Sequence, residues 1–128
     1  MSNAVYQVTT DKSFTEAVEA LQAQTPTHAF RVLHIHDYQT ILAEKGFTRG
    51  PLKIIEICHA QYAHETLQQE ALFSLVMPCR ISVYTEGEKT VINTLRPTAL
   101  LEMFEKPELQ ETAEQVEKIM IEIINSSK

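Results

Sequence analysis

Two hydrophobic periods alternate along the chain, one of two residues and one of three to four, and each change of period marks the edge of an element. Val5 to Thr9 reads as a short strand. Ser13 and Glu16 then stand at capping-box spacing, and Phe14, Val18 and Leu21 recur at helical intervals, so a helix starts at Ser13 and ends at Pro26. Residues 29 to 37 are β-branched and aromatic enough for a strand, with Leu33 and Ile35 on one face and Val32, His34 and His36 on the other. Tyr38 to Lys45 carries Ile41 and Leu42 through about two helical turns, and Gly46 is placed to close them in the left-handed conformation.

A third strand covers Leu52 to His59, with Ile55 and Ile57 on one face and Leu52, Ile54, Glu56 and Cys58 on the other. The period changes at Cys58, and Ala60 to Glu70 continues as a helix expected to pack through Ala63 and Leu67. After the apolar segment Phe73 to Met77, Pro78 opens a hairpin in which Cys79 to Thr85 pairs with Thr90 to Leu95 across Glu86-Gly87-Glu88-Lys89. Pro97 to Phe104 predicts a short helix. Pro107 fits the first position of a longer one, whose stripe of Leu109, Ala113, Val116, Met120 and Ile123 runs up to Asn125. This order predicts one α+β domain spanning residues 1–128, with a largely antiparallel sheet covered by helices.

Composition narrows the function classes. The chain has 128 residues, 44% of them hydrophobic, which is enough for a real core and too many for a disordered chain. Its 11 Lys and Arg against 17 Asp and Glu leave a net charge of -6 with no basic stripe, so nucleic acid is not an expected partner. No apolar run approaches the ~20 residues of a membrane span, and the N-terminus lacks a basic-then-apolar leader, so the expectation is a cytoplasmic protein without a membrane partner. Met1-Ser2-Asn3-Ala4 looks like a cloning remnant and is given no functional weight.

The segment Pro51-Leu52-Lys53-Ile54-Ile55-Glu56-Ile57-Cys58, followed about twenty residues later by Met77-Pro78-Cys79-Arg80-Ile81-Ser82-Val83-Tyr84, resembles the domain-of-unknown-function family 302. That family runs helix, strand, Cys-Asn-Pro, helix, Leu-Pro-Cys, hairpin, Asp-Pro and C-terminal helix, and Ser13-Phe14-Thr15-Glu16-Ala17 matches its first helix. The resemblance implies an α+β fold like one repeat of the TATA-binding protein, a homodimer, and no established reaction. His59-Ala60 stands here in place of Asn-Pro and Arg96-Pro97 in place of Asp-Pro, so a site built on those positions has altered polarity.

Few residues carry candidate chemistry. Cys58 ends a strand where a helix begins, a position that favours a thiolate, although a cysteine there is also an ordinary small apolar residue. Cys79 lies 21 positions later, so the two are not a Cys-x-x-Cys pair and meet only if their strands are neighbours. His34 and His36 share a strand face about 7 Å apart, a separation from which two imidazoles converge on one metal, but a third ligand is not evident beyond Cys58, His59 and His64. Arg80 and Arg31 suit a carboxylate or phosphate, and Tyr62, Tyr84 and Glu56 are further candidates for the same cleft, with Tyr84 on the face of Arg80. Phosphate loops, dinucleotide fingerprints, nucleophile elbows and His-Glu-x-x-His motifs are all absent from the sequence.

The sequence therefore points to a non-catalytic dimeric module that takes a small molecule or anion in a cleft near Cys58, His59, Cys79, Arg80 and Tyr84. No cofactor is predicted. The competing expectations are a thiol-dependent redox or metal-binding protein using Cys58 and Cys79 with nearby histidines, His34 and His36 among them, and a purely structural or partner-binding homodimer.

Overall fold

The computed structural model describes residues 3–128, so Met1 and Ser2 of the suspected cloning remnant lie outside the described residues. Five strands form one sheet: β1 (Val5–Thr10), β2 (Arg31–Asp37), β3 (Leu52–Cys58), β4 (Cys79–Glu86) and β5 (Lys89–Leu95). Their order is β1-β5-β4-β3-β2, and every neighbouring pair is antiparallel. The helices are α1 (Phe14–Gln24), α2 (Tyr38–Ala43), α3 (Ala60–Gln69), α4 (Pro97–Leu101) and α5 (Gln110–Ser127). No helix among the described residues is long and apolar enough to cross a membrane.

The local signals act where the sequence places them. Ser13 Oγ accepts the Glu16 N–H at 3.1 Å while Glu16 Oε1 accepts the Ser13 N–H at 3.0 Å, the reciprocal capping box that starts α1. The backbone contact holds the Glu16 carboxyl below the usual glutamate range. Pro26 does end α1, through a 3₁₀ turn over Thr25–His28 that closes on Ala29 at φ 63°. Ala29 is thus a left-handed cap and not part of the strand. Gly46 at φ 85° closes α2 in a Schellman arrangement, with Phe47 N–H donating to Leu42 O and Gly46 N–H to Ala43 O, both at 3.0 Å.

One sheet face is buried. Ala17, Val18 and Leu21 of α1 and Met120, Ile123 and Ile124 of α5 pack on Ile55, Ile57, Ile81, Val83 and Ile92 of the three central strands. The period-two reading of β3 to β5 therefore holds, but that of β2 needs a correction. Val32 lies opposite Ile57 and His34 opposite Glu56, so Leu33 is an extra residue with no counterpart. This bulge puts Val32 on the core face with Ile35 and leaves Leu33 about half exposed. Leu67 is also 39% exposed, whereas Ala63 faces inward, so α3 packs through a narrower stripe than its sequence suggests.

α5 begins after a 3₁₀ turn at Pro107–Leu109 and continues two residues past Asn125. Its N-terminal half packs against a second, smaller cluster of Phe73, Leu101 and Leu109, with Ala113, Phe104, Val76 and Met77 around it. Between the two clusters Glu117 accepts from Thr98 Oγ1 at 2.7 Å, Thr98 N–H at 3.1 Å and Arg96 Nε at 3.2 Å, and Arg96 Nη1 also donates to Asn3 O at 2.6 Å. Burial raises the Glu117 carboxyl pKa, but the bonds from Thr98 and Arg96 outweigh it and hold the group below the usual range.

That sign fixes a pH dependence. A carboxyl depressed in the folded state contributes stability above the ordinary glutamate range of about 4.3 and loses it as pH falls through the folded value. Glu117→Gln is expected to lose about 1.5 to 3 kcal/mol at pH 7 in urea unfolding, with the gap from the wild type closing as pH falls below about 4.

Candidate functional site

The space between the two clusters is not filled. At the end of the sheet where β3 finishes and β4 starts, a cavity of about 160 Å³ lies under α3, α4, α5 and the 3₁₀ segment Ala71–Val76. Its walls are mostly apolar: Phe30, Ile57, Ala63, Phe73, Val76 and Leu101 are among them. Cys58, His59, Tyr62, Cys79 and Arg80 line the same space, so four of the five ligand-binding candidates come together and Tyr62 joins them.

Tyr84 does not. It shares the face of Arg80 as alternation requires, but four residues further along β4, opposite Leu52 and about 13 Å from Arg80 at strand rise. It is corrected from cavity residue to open-face residue.

Local geometry defines what each group can do. His59 caps α3: the Tyr62 N–H donates to Nδ1 across a long 3.4 Å, which places the ring proton on Nε2. The imidazole is wedged between Phe30, edge-on at 5.3 Å, and Tyr62 at 4.3 Å, forming an aromatic wall at the strand-to-helix junction. Cys79 sits opposite Ile57 in the β3–β4 ladder, so it neighbours Cys58 diagonally, and both thiols are free. Burial pushes the Cys79 thiol up to about 11, with Cys58 nearby adding to the rise and the Arg80 charge opposing it. Cys79 keeps some accessible surface because it faces the cavity.

The charged groups sit outside, on the uncovered sheet face. Glu56 uses its two oxygens separately, Oε1 toward His36 Nε2 at 3.1 Å and Oε2 toward Arg80 Nε at 3.3 Å. This anchors Arg80 at the rim with its terminal nitrogens still available. His34 and His36 do share a face, with rings 4.4 Å apart in an edge-on arrangement. Of the two, His36 pairs with Glu56, and no group of three or more His, Cys, Asp or Glu suited to a metal ion occurs among the described residues. Arg31 lies exposed opposite Cys58 on β2, outside the cavity lining.

Sequence reasoning missed the roof of the cavity. Phe73 and Val76 line it while Leu72 and Leu75 point out, 57% and 74% exposed. The three-residue spacing of Phe73 and Val76 was the available signal, that of a 3₁₀ turn with one face inward. Phe73 stacks on Phe104 at 4.2 Å, which ties this segment to the chain after α4.

An antiparallel sheet buried on one face, with an apolar cavity at the end of its central strands, defines a small α+β protein with a preformed apolar pocket. The chain belongs to the family described as Domain of unknown function DUF302, whose model matches residues 6–127. A crystal structure of an uncharacterized conserved DUF302 protein from Bacillus stearothermophilus is similar with a TM-score of 0.94 and 29% identity, covering 99% of this chain and 100% of that one. No curated protein matches the chain.

The thiol environment is testable directly. In Cys58→Ala protein, alkylation of Cys79 by iodoacetamide, followed by intact mass, is expected to rise about tenfold per pH unit and to keep rising past pH 9, beyond the ordinary thiol pKa of about 8.5. A plateau near pH 9 is the contrary result.

Proposed function

We propose that this protein is a non-catalytic binding module that takes a small, largely apolar molecule into the cavity, with any polar end directed toward Arg80 and the Nε2–H of His59. The observation that carries the reading is the cavity itself, apolar on most sides and free of Asp and Glu among its lining residues. Its size supports a ligand on the scale of one six-membered ring, since an apolar protein cavity of about 150 Å³ accepts benzene. A carboxylate on such a ring suits the free guanidinium nitrogens of Arg80, which Glu56 orients without using them all. The raised Cys79 thiol weighs against a redox pair, because the neutral thiol is a poor nucleophile.

The test compares benzene with benzoate by thermal shift and by NMR perturbation of the lining residues. A ligand present at about 100 times its Kd stabilises the native state by about 2.7 kcal/mol. Ala113→Leu, which grows a side chain from α5 into the cavity, is expected to abolish both responses while leaving the fold at least as stable. Arg80→Gln is expected to weaken benzoate and leave benzene unchanged. Perturbations mapping away from the cavity, or unaffected by Ala113→Leu, would sink the proposal.

A further inference from the structure

The roof of the cavity presents an apolar outer face. Residues three apart eclipse in a 3₁₀ turn, so Leu72 and Leu75 project together from the segment Ala71–Val76, 57% and 74% exposed. Phe73, beside Leu72, stacks on Phe104, beside Met103, and Met103 is 64% exposed. A single exposed leucine is ordinary, but three large apolar side chains around one aromatic contact make a patch. Its rim is acidic. Glu102, Glu105 and Glu108 are exposed in the stretch that carries Met103, and among the described residues none of the three has a side-chain hydrogen bond or ion pair. Lys106, the one cation between residues 101 and 109, is taken by Glu70 at 3.9 Å, and Glu70 also accepts the Leu72 N–H at 3.1 Å, which ties the acidic stretch to the start of the roof. Folding does not call for these carboxylates. Glu102 stands at the C-cap of α4, where the helix dipole disfavours a negative charge, and Glu105 holds a left-handed φ of 51°, a conformation that suits Gly or Asn.

We propose that this patch docks a segment of another protein in which apolar side chains are flanked by lysine or arginine. Leu72, Leu75 and Met103 take the apolar side chains, and Glu102, Glu105 and Glu108 meet the cations around them. The charge pattern selects this occupant. A second copy of this chain would set acidic rim against acidic rim, and an anionic lipid surface would be repelled in the same way. A basic partner gains on both counts, since the apolar contact is desolvated while the unpaired carboxylates steer it in. This surface lies outside the cavity, and its use does not depend on any small molecule binding within.

The experiment follows the fluorescence anisotropy of a labelled amphipathic helical peptide of Leu and Lys, about four turns long, with Leu/Glu and Ser/Lys peptides of the same pattern as controls. The full chain is expected to bind the Leu/Lys peptide one to one and neither control. Leu75→Ser combined with Met103→Ser, both at exposed positions and so leaving the fold intact by circular dichroism, is expected to weaken binding more than ~tenfold. Glu102→Gln, Glu105→Gln and Glu108→Gln together are expected to weaken it about tenfold at low salt and to flatten its salt dependence. Removing the same charge elsewhere, by Glu19→Gln, Glu86→Gln and Glu88→Gln, is expected to change the affinity less than about twofold, which separates a local rim from the net charge of -6. No binding of the Leu/Lys peptide, equal loss in the two triple variants, or full affinity in the double Ser variant overturns the proposal. So does sedimentation showing a wild-type dimer that the double Ser variant dissociates, since a second copy then covers the patch.

Discussion

The structure depends on the burial of one long apolar stripe, that of α5, which is longer than the sheet face it covers. Its C-terminal half, Met120, Ile123 and Ile124, closes the main core against the central strands. Its N-terminal half projects past the sheet end, where Leu109 and Ala113 have only short, irregular elements to pack against. The cavity is the consequence of that overhang: side chains from 3₁₀ turns and single helical turns do not interdigitate as two long helices do. Glu117, bound to Arg96 and Thr98, sits where α5 passes from one regime to the other and fixes its position along the axis.

Charge and sulfur are segregated by the same architecture. Alternation along β3 and β4 sends Glu56 and Arg80 to the open face and Ile57, Cys79 and Ile81 to the core face. The chain end of each strand then brings Cys58 and Cys79 to one space without placing a carboxylate there. Arg80 is the one charged side chain that reaches both regions, lining the cavity while pairing with Glu56 outside it. The cavity is thus mostly apolar, with the Arg80 guanidinium at its rim.

What was legible in the sequence follows from which forces are local. The capping box, the Gly46 closure, the hairpin turn and the faces of β3, β4 and β5 are dictated by neighbours within a few residues, and they appear as read. The α+β class was legible from the order of the periods, whereas whether Cys58 and Cys79 come near each other was not, because it depends on β3 and β4 being neighbours in the sheet across the intervening α3. Leu33 was not legible: a single inserted residue inverts the parity of a strand, and no composition signal accompanies it. Tyr84 failed for a different reason, since sharing a face says nothing about distance along it. The inward turn of Phe73 and the outward turn of Leu67 are decided by which helix lies above them, information that is tertiary from the start.

The bulge at Leu33 has one more effect, on the company the molecule keeps. β2 is an edge strand, with β3 on one side and an unpaired backbone on the other. A regular edge of alternating valine, leucine and isoleucine invites a second chain to add itself in register and start a fibril. The extra residue breaks the even spacing of outward amide and carbonyl groups midway along that edge, so an incoming strand can follow it for only a few residues. The same irregularity that sends Val32 into the core thereby shortens the regular stretch of edge that another strand could pair with.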